Sequence, residues 1–167
     1  MIRAFAVLLA ILATASAAYA DARKDCFDLS GEIAIKNCTE AIRLSPNDIK
    51  LYLARGYEYN HLPDYDRGIA DYTMASRLDP KNANAYHGRG YAYNGKGDYD
   101  RAIAEFSKTI ELSPNNYVAH ADRGVAYYNK GLYDLAIENL DRALKIKPDY
   151  ALAIENRAKA IAKKNQR

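Results

Sequence analysis

Three histidines, two cysteines and a scatter of carboxylates are the side chains of this 167-residue chain whose types could do chemistry. A helical zinc site needs two imidazoles on one face, typically at i and i+4. His61, His87 and His120 have no such spacing, so no metal ligand is assigned. A serine or cysteine nucleophile needs a base and an oxyanion donor brought together from separate elements, and nothing in the few His and Ser residues suggests that set. Asn94-Gly95-Lys96-Gly97-Asp98 has the glycine of a phosphate loop but no strand leading into it, and reads as a turn between two helices. Asp98, Asp100, Glu105, Asp134 and Glu138 recur near the starts of predicted helices, where negative charge suits the helix dipole. They are expected to be caps and solvated faces. The chain is therefore expected to have no catalytic residue, no cofactor and no enzymatic activity.

The cysteines, Cys26 and Cys38, lie too far apart for the Cys-x-x-Cys redox motif. Their meaning depends on compartment, and the first residues speak to that. Met1-Ile2-Arg3 brings one positive charge, Ala4 to Ala13 is an unbroken apolar run, and Ala18-Tyr19-Ala20 offers small residues where a signal peptidase needs them. This order predicts a secretory leader over residues 1–20, cleaved before Asp21. Only about 17 residues separate Arg3 from Asp21, short for a membrane anchor. The protein is expected to be exported: periplasmic in a Gram-negative cell, otherwise secreted, and free of the membrane once cleaved. In an oxidising compartment a close thiol pair tends to join, so a Cys26–Cys38 disulfide is expected. Two buried free thiols are the alternative, and a metal site is poorly served without a nearby histidine.

Composition excludes other classes. The chain is 49% hydrophobic and 27% charged with a formal net charge of +3, lowered by one when Arg3 leaves with the leader. Basic and acidic residues are interspersed throughout, which gives no support to nucleic-acid binding.

The elements that would position any site announce themselves through prolines. Pro46, Pro80, Pro114 and Pro148 each stand 34 residues from the next, a period that signals stacked supersecondary units. In that register Tyr52-Leu53-Ala54-Arg55-Gly56 aligns with Tyr86-His87-Gly88-Arg89-Gly90 and His120-Ala121-Asp122-Arg123-Gly124, each followed three residues on by Tyr59, Tyr93 or Tyr127. Downstream come the small residues Gly68, Ala102 and Ala136, then the bulky Tyr72, Phe106 and Leu140, then Ala75, Thr109 and Ala143. The spacing is helical throughout. Glycine on the first helix and a small residue on the second let two backbones approach while the bulky positions fill the remaining space. One hairpin leaves a face bare, so copies must stack and the ends must be capped.

This pattern resembles the tetratricopeptide repeat (TPR). The resemblance implies an all-α fold, a short right-handed superhelical α-solenoid of stacked antiparallel helix hairpins. It places a degenerate N-terminal half repeat at 21–48, full repeats at 49–82, 83–116 and 117–150, and a capping helix at 151–167. In the half repeat the first helix is only Ala22 to Leu29 or so, tied by the disulfide to a helix from Ser30 to Leu44. In the cap, Ile154, Ala158 and Ile161 follow the inward spacing and Lys159, Lys163, Lys164 and Arg167 can face water. Departures from the family pattern are Tyr or His for the usual Trp, Gly68 for Ala, and Arg55, Arg89 and Arg123 for Leu. An arginine can lay its methylenes along apolar surface and keep its charge in water.

In TPR proteins the first helices line a concave groove. The resemblance puts Leu53, Tyr57 and Asn60, then His87, Tyr91 and Asn94, then Asp122 and Tyr128 on that face, with Lys50, Asn84, Val125 and Asn129 beside them. Tyrosine offers apolar area with a polar tip, and asparagine both donates to and accepts from an extended backbone. Another protein or peptide is therefore the expected partner, held by an adaptor or assembly factor. The alternative is a structural or self-associating subunit that uses outer helix faces. The clamp by which some TPR domains hold acidic chaperone tails would place its basic residues on Leu53, Val118 and Asp122, or one repeat later on His87, Leu152 and Asn156. None of these is a lysine or an arginine, so no chaperone-tail clamp is expected.

Overall fold

The computed structural model describes residues 16–166. Most of the expected leader, residues 1–15, and Arg167 of the expected cap lie outside the described residues. Helix α1 covers residues 16–28. It is followed by α2 (Gly31–Leu44), α3 (Ile49–His61), α4 (Tyr65–Leu78), α5 (Ala83–Gly95), α6 (Tyr99–Leu112), α7 (Tyr117–Asn129), α8 (Tyr133–Ile146) and α9 (Ala151–Lys164). Turns join them, and there is no strand among the described residues. The fold is all-α and TPR-like. The chain divides into two compact units, Met1–Leu78 and Asp79–Arg167, where composition alone suggests one domain.

The starts of α3, α5 and α7 repeat one device. Proline cannot continue a helix, and it disfavours helical backbone in the residue before it, so α2, α6 and α8 end just ahead of Pro46, Pro114 and Pro148. Two residues beyond the proline, Asp48 accepts from the Lys50 N–H, and Asn82 and Asn116 accept from the N–H groups of Ala85 and Ala119, satisfying donors a helix N-terminus leaves bare. The proline carbonyls are also bound. Tyr52 and Tyr86 donate their hydroxyls to the carbonyls of Pro46 and Pro80 at 3.0 and 3.2 Å, and His120 Nε2 donates to that of Pro114 at 3.1 Å. The family's Trp is thus replaced by residues that keep an apolar body and a donor at its tip.

In the first unit α2 packs on α3 and α3 on α4. The core around α1 joins Ala22, Cys26, Cys38, Ala41 and Leu51, with Tyr19 packed against it. Cys26 and Cys38 form a disulfide. Asp48 adds a second tie, accepting from the Tyr19 hydroxyl at 2.9 Å and from Arg23 Nε at 3.1 Å. The first helix is therefore longer at its N-terminal end than the expected Ala22 to Leu29, because the alanine-rich stretch preceding it is a good helix former. The expected boundary at residue 20 falls inside this continuous helix. No side-chain bond caps α2 at Ser30; instead Glu58 of α3 accepts from the Gly31 N–H at 2.6 Å.

In the second unit α5 packs on α6, α6 on α7, α7 on α8 and α8 on α9. The glycine and bulky positions meet as expected. A Cβ at Gly90 would lie 2.9 Å from the Phe106 ring, and one at Gly124 would lie 2.8 Å from Leu140 Cγ. Two sequence readings need correction. The arginines do not keep their charge in water: Arg55 is bidentate on Asp71 at 2.7 and 2.8 Å, with side chains 16% and 6% exposed, and Arg89 binds Glu105 at 2.9 Å. Arg123 finds the amide oxygen of Asn139 at 2.7 Å and the Ser107 hydroxyl at 3.0 Å. A guanidinium this enclosed needs a partner, and the residue 16 positions on supplies it in all three repeats. Glu105 is accordingly no solvated carboxylate. Burial pushes the Asp71 carboxyl up, against the opposing pull of Arg55. The second correction concerns α9, where Ala153 and Ala160 are the buried positions and Ile154 is 49% exposed.

Candidate functional site: the first-helix face

In the second unit α5 and α7 are the first helices of successive hairpins, and polar pairs join them at two levels. His87 Nε2 lies 2.8 Å from Asp122 Oδ2, and Asn129 Nδ2 donates to Asn94 Oδ1 at 3.3 Å. On each helix these residues are seven apart, which is two turns and hence one face. Tyr91 lies between His87 and Asn94 in the same stripe and is 48% exposed. The imidazole of His87 also rests near the Phe106 ring, with centroids 5.6 Å apart. Its position is fixed, and it acts as a link between helices.

The remaining stripe residues differ in freedom. Val125 and Tyr128 are half-buried, and the Tyr128 ring leans on Tyr133 at 5.6 Å. Asp122 is half-buried and bound by His87, while Asn129 is exposed. The surface thus offers an exposed phenol between a carboxylate–imidazole pair and an amide pair. It can hydrogen-bond a peptide backbone and cover apolar side chains.

The first unit has its own first-helix stripe on α3. Tyr57 is 56% exposed and lies over His61 with ring centroids 4.0 Å apart, while His61 Nδ1 bonds the Tyr57 carbonyl at 2.9 Å. Leu53 is half-buried. Asn60 does not face the groove as expected. It is buried, and a Cβ on Gly68 of α4 would fall 2.6 Å from its Oδ1. Gly68, the departure from alanine noted in the sequence, leaves the room that Asn60 occupies. Among the described residues no group of three His, Cys, Asp or Glu could hold a metal ion.

Sequence reasoning missed the cross-helix pairs. Their signal was available as a separation of 35, one repeat plus one residue, shared by His87–Asp122 and Asn94–Asn129. It also missed a change in the third hairpin. In the first two, Asp64 and Asp98 bind Arg67 and Arg101, whose guanidiniums lie 4.6 and 4.5 Å from the centroids of Tyr59 and Tyr93. The third hairpin has Leu132 and Leu135 at those positions, both exposed.

Serial helix hairpins with a polar and aromatic stripe along their first helices define a helical-repeat protein. Family models settle which one: a TPR repeat model matches residues 90–131, and two tetratricopeptide repeat models match 117–150 and 72–104. The chain is a tetratricopeptide repeat protein. No curated protein matches the sequence. Among solved structures, a crystal structure of MamA protein is similar at 25% identity and a TM-score of 0.72, over 79% of this chain and 72% of that one. A second MamA crystal structure shares 28% identity with a TM-score of 0.66, over 71% and 70% of the two chains. The second TPR domain of human RPAP3, solved in complex with the HSP70 peptide SGPTIEEVD, shares 26% identity with a TM-score of 0.63, over 65% of this chain and 91% of that domain.

Proposed function

We propose that this protein is an exported interaction scaffold that binds an extended segment of another protein on its first-helix face, as an adaptor or assembly factor. The observation that carries the reading is Tyr91, held exposed between the His87–Asp122 and Asn94–Asn129 pairs. A tyrosine side chain has few rotors to freeze on binding, and tyrosine is enriched among residues that dominate interface energy. Peptide binding by the RPAP3 domain lends support at the level of the family. Asp122 on this face disfavours an acidic tail like that peptide and favours a neutral or basic segment. Export draws support from the charged, apolar and small-residue order of residues 1–20 and from the Cys26–Cys38 disulfide.

Peptides selected from a random library against the purified protein test the reading. Tyr91→Ala should weaken the selected peptides by about tenfold or more, a typical loss for an aromatic anchor, with the far-ultraviolet dichroism unchanged. Undiminished affinity would remove Tyr91 from the site. A second reading, assembly through outer helix faces, draws on exposed Leu132 and Leu135. The two readings differ in which helices respond to a bound partner.

A further inference from the structure

Helix α9 repeats the first-helix register of the hairpins. Ile154 aligns with Tyr52, Tyr86 and His120, and Ala158 with Gly56, Gly90 and Gly124. Ile161 takes the place of Tyr59, Tyr93 and Tyr127. In the hairpins this face meets a second helix. On α9 it is open, and with α8 it forms a groove of about 630 Å³ lined by Asp141, Leu144, Ile154, Arg157, Ala158 and Ile161 among others. Arg157 occupies the arginine position of the repeat. Where Arg55, Arg89 and Arg123 each hold a side chain 16 residues ahead on their own second helix, Arg157 turns back to Asp141, and both remain substantially exposed.

The three hairpins state what such a groove accepts. Each second helix carries an acid or amide followed at once by a bulky residue, as Asp71-Tyr72, Glu105-Phe106 and Asn139-Leu140. Four residues before the bulky one stands Gly68, Ala102 or Ala136, and three after it Ala75, Thr109 or Ala143. The acid or amide takes the arginine, and the bulky side chain covers the glycine. Ala158 has a Cβ where the hairpins have none, which favours an aliphatic side chain over a ring. The copies of this pattern in the chain are already seated in their own hairpins.

We propose that the groove between α8 and α9 is a docking site for an amphipathic helix of a partner protein, carrying a carboxylate immediately before a bulky aliphatic residue, with small residues four before and three after it. The partner carboxylate draws Arg157 away from Asp141, and the aliphatic side chain covers Ala158 between Ile154 and Ile161. This goes beyond the first-helix site and does not depend on it.

The probe is a synthetic peptide with the sequence of α8, Tyr133 to Ile146, in which the asparagine of that sequence is replaced by aspartate. It is capped at both ends, labelled, and lactam-bridged on its outward face, because a 14-residue helix is marginal alone. Fluorescence anisotropy with the full chain should show saturable one-to-one binding. That binding should fall at least about tenfold with Arg157→Ala or with alanine for the peptide leucine that directly follows the new aspartate, and persist with Tyr91→Ala. Arg157 is 40% exposed on its side chain, so Arg157→Ala should keep its helical dichroism. An absence of saturable binding would overturn the proposal, as would binding that survives both Arg157→Ala and Ala158→Asp. A dimer that must dissociate before the peptide binds would place a second copy in the groove and overturn it too.

Discussion

His120 stands where the two preceding repeats carry Tyr52 and Tyr86, and it makes their bond to a proline carbonyl through Nε2. Its Nδ1 is buried with no partner among the described residues. Protonation would therefore bury an N–H without an acceptor, and burial holds the imidazole pKa below its ordinary value. The native state binds fewer protons here than the unfolded chain. The stabilisation is complete above the unfolded pKa near 6.5 and is lost as pH falls from there toward the folded value. His120→Tyr should keep the bond to Pro114 and flatten the decline in melting temperature between about pH 7 and 5. An equally steep decline in the variant would show that His120 does not cause it. A second residue-scale test concerns packing. Gly124→Ala brings a Cβ to 2.8 Å from Leu140 Cγ and 3.1 Å from the Ala136 carbonyl oxygen. Overpacking costs about 1 to 3 kcal/mol, against about 1 kcal/mol gained in helix propensity, so the variant should be less stable by chemical denaturation. In a Leu140→Ala background the same change should become neutral or stabilising, and additive effects would deny the contact.

At the scale of elements, α1 depends on few ties. Once the leader is gone, the disulfide to α2 and the Arg23 bond to Asp48 hold it against the first unit. A closed loop of this length is worth about 2 to 3 kcal/mol. Reduction should lower the melting temperature and speed amide exchange over residues 21–28 while leaving α7 and α8 protected. Two reactive thiols in the native protein, or unchanged exchange in α1, would contradict this. The hairpins were legible in the sequence because Pro46, Pro80, Pro114 and Pro148 punctuate them and Gly56, Gly90 and Gly124 need close neighbours. The outward spacing of Tyr57 and Tyr91 was legible for the same reason. Asn60 was not, because the same register position carries an outward amide in Asn94, and only the nearby Gly68 lets the earlier one turn in. The arginines misled because charge suggests solvent, whereas their partners lie 16 residues away on another helix. The face of α9 was read inward because Ile154 and Ile161 follow a helical stripe, and periodicity does not say whether a second helix covers it.

For the whole molecule, each compact unit presents its own first-helix stripe, with Tyr57 in one and Tyr91 in the other, both about half exposed. Single exposed aromatics are common, so the weight falls on the fixed polar pairs that flank Tyr91. The central claim is that a partner segment is held on that face. The direct measurement is backbone amide chemical-shift mapping of isotope-labelled protein titrated with a library-selected peptide. Shifts should concentrate on α5 and α7 around Tyr91, Asn94, Asp122 and Asn129. Shifts confined to α6, α8 and Leu132 at its start, with α5 and α7 silent, would contradict the first-helix site and favour binding by outer faces.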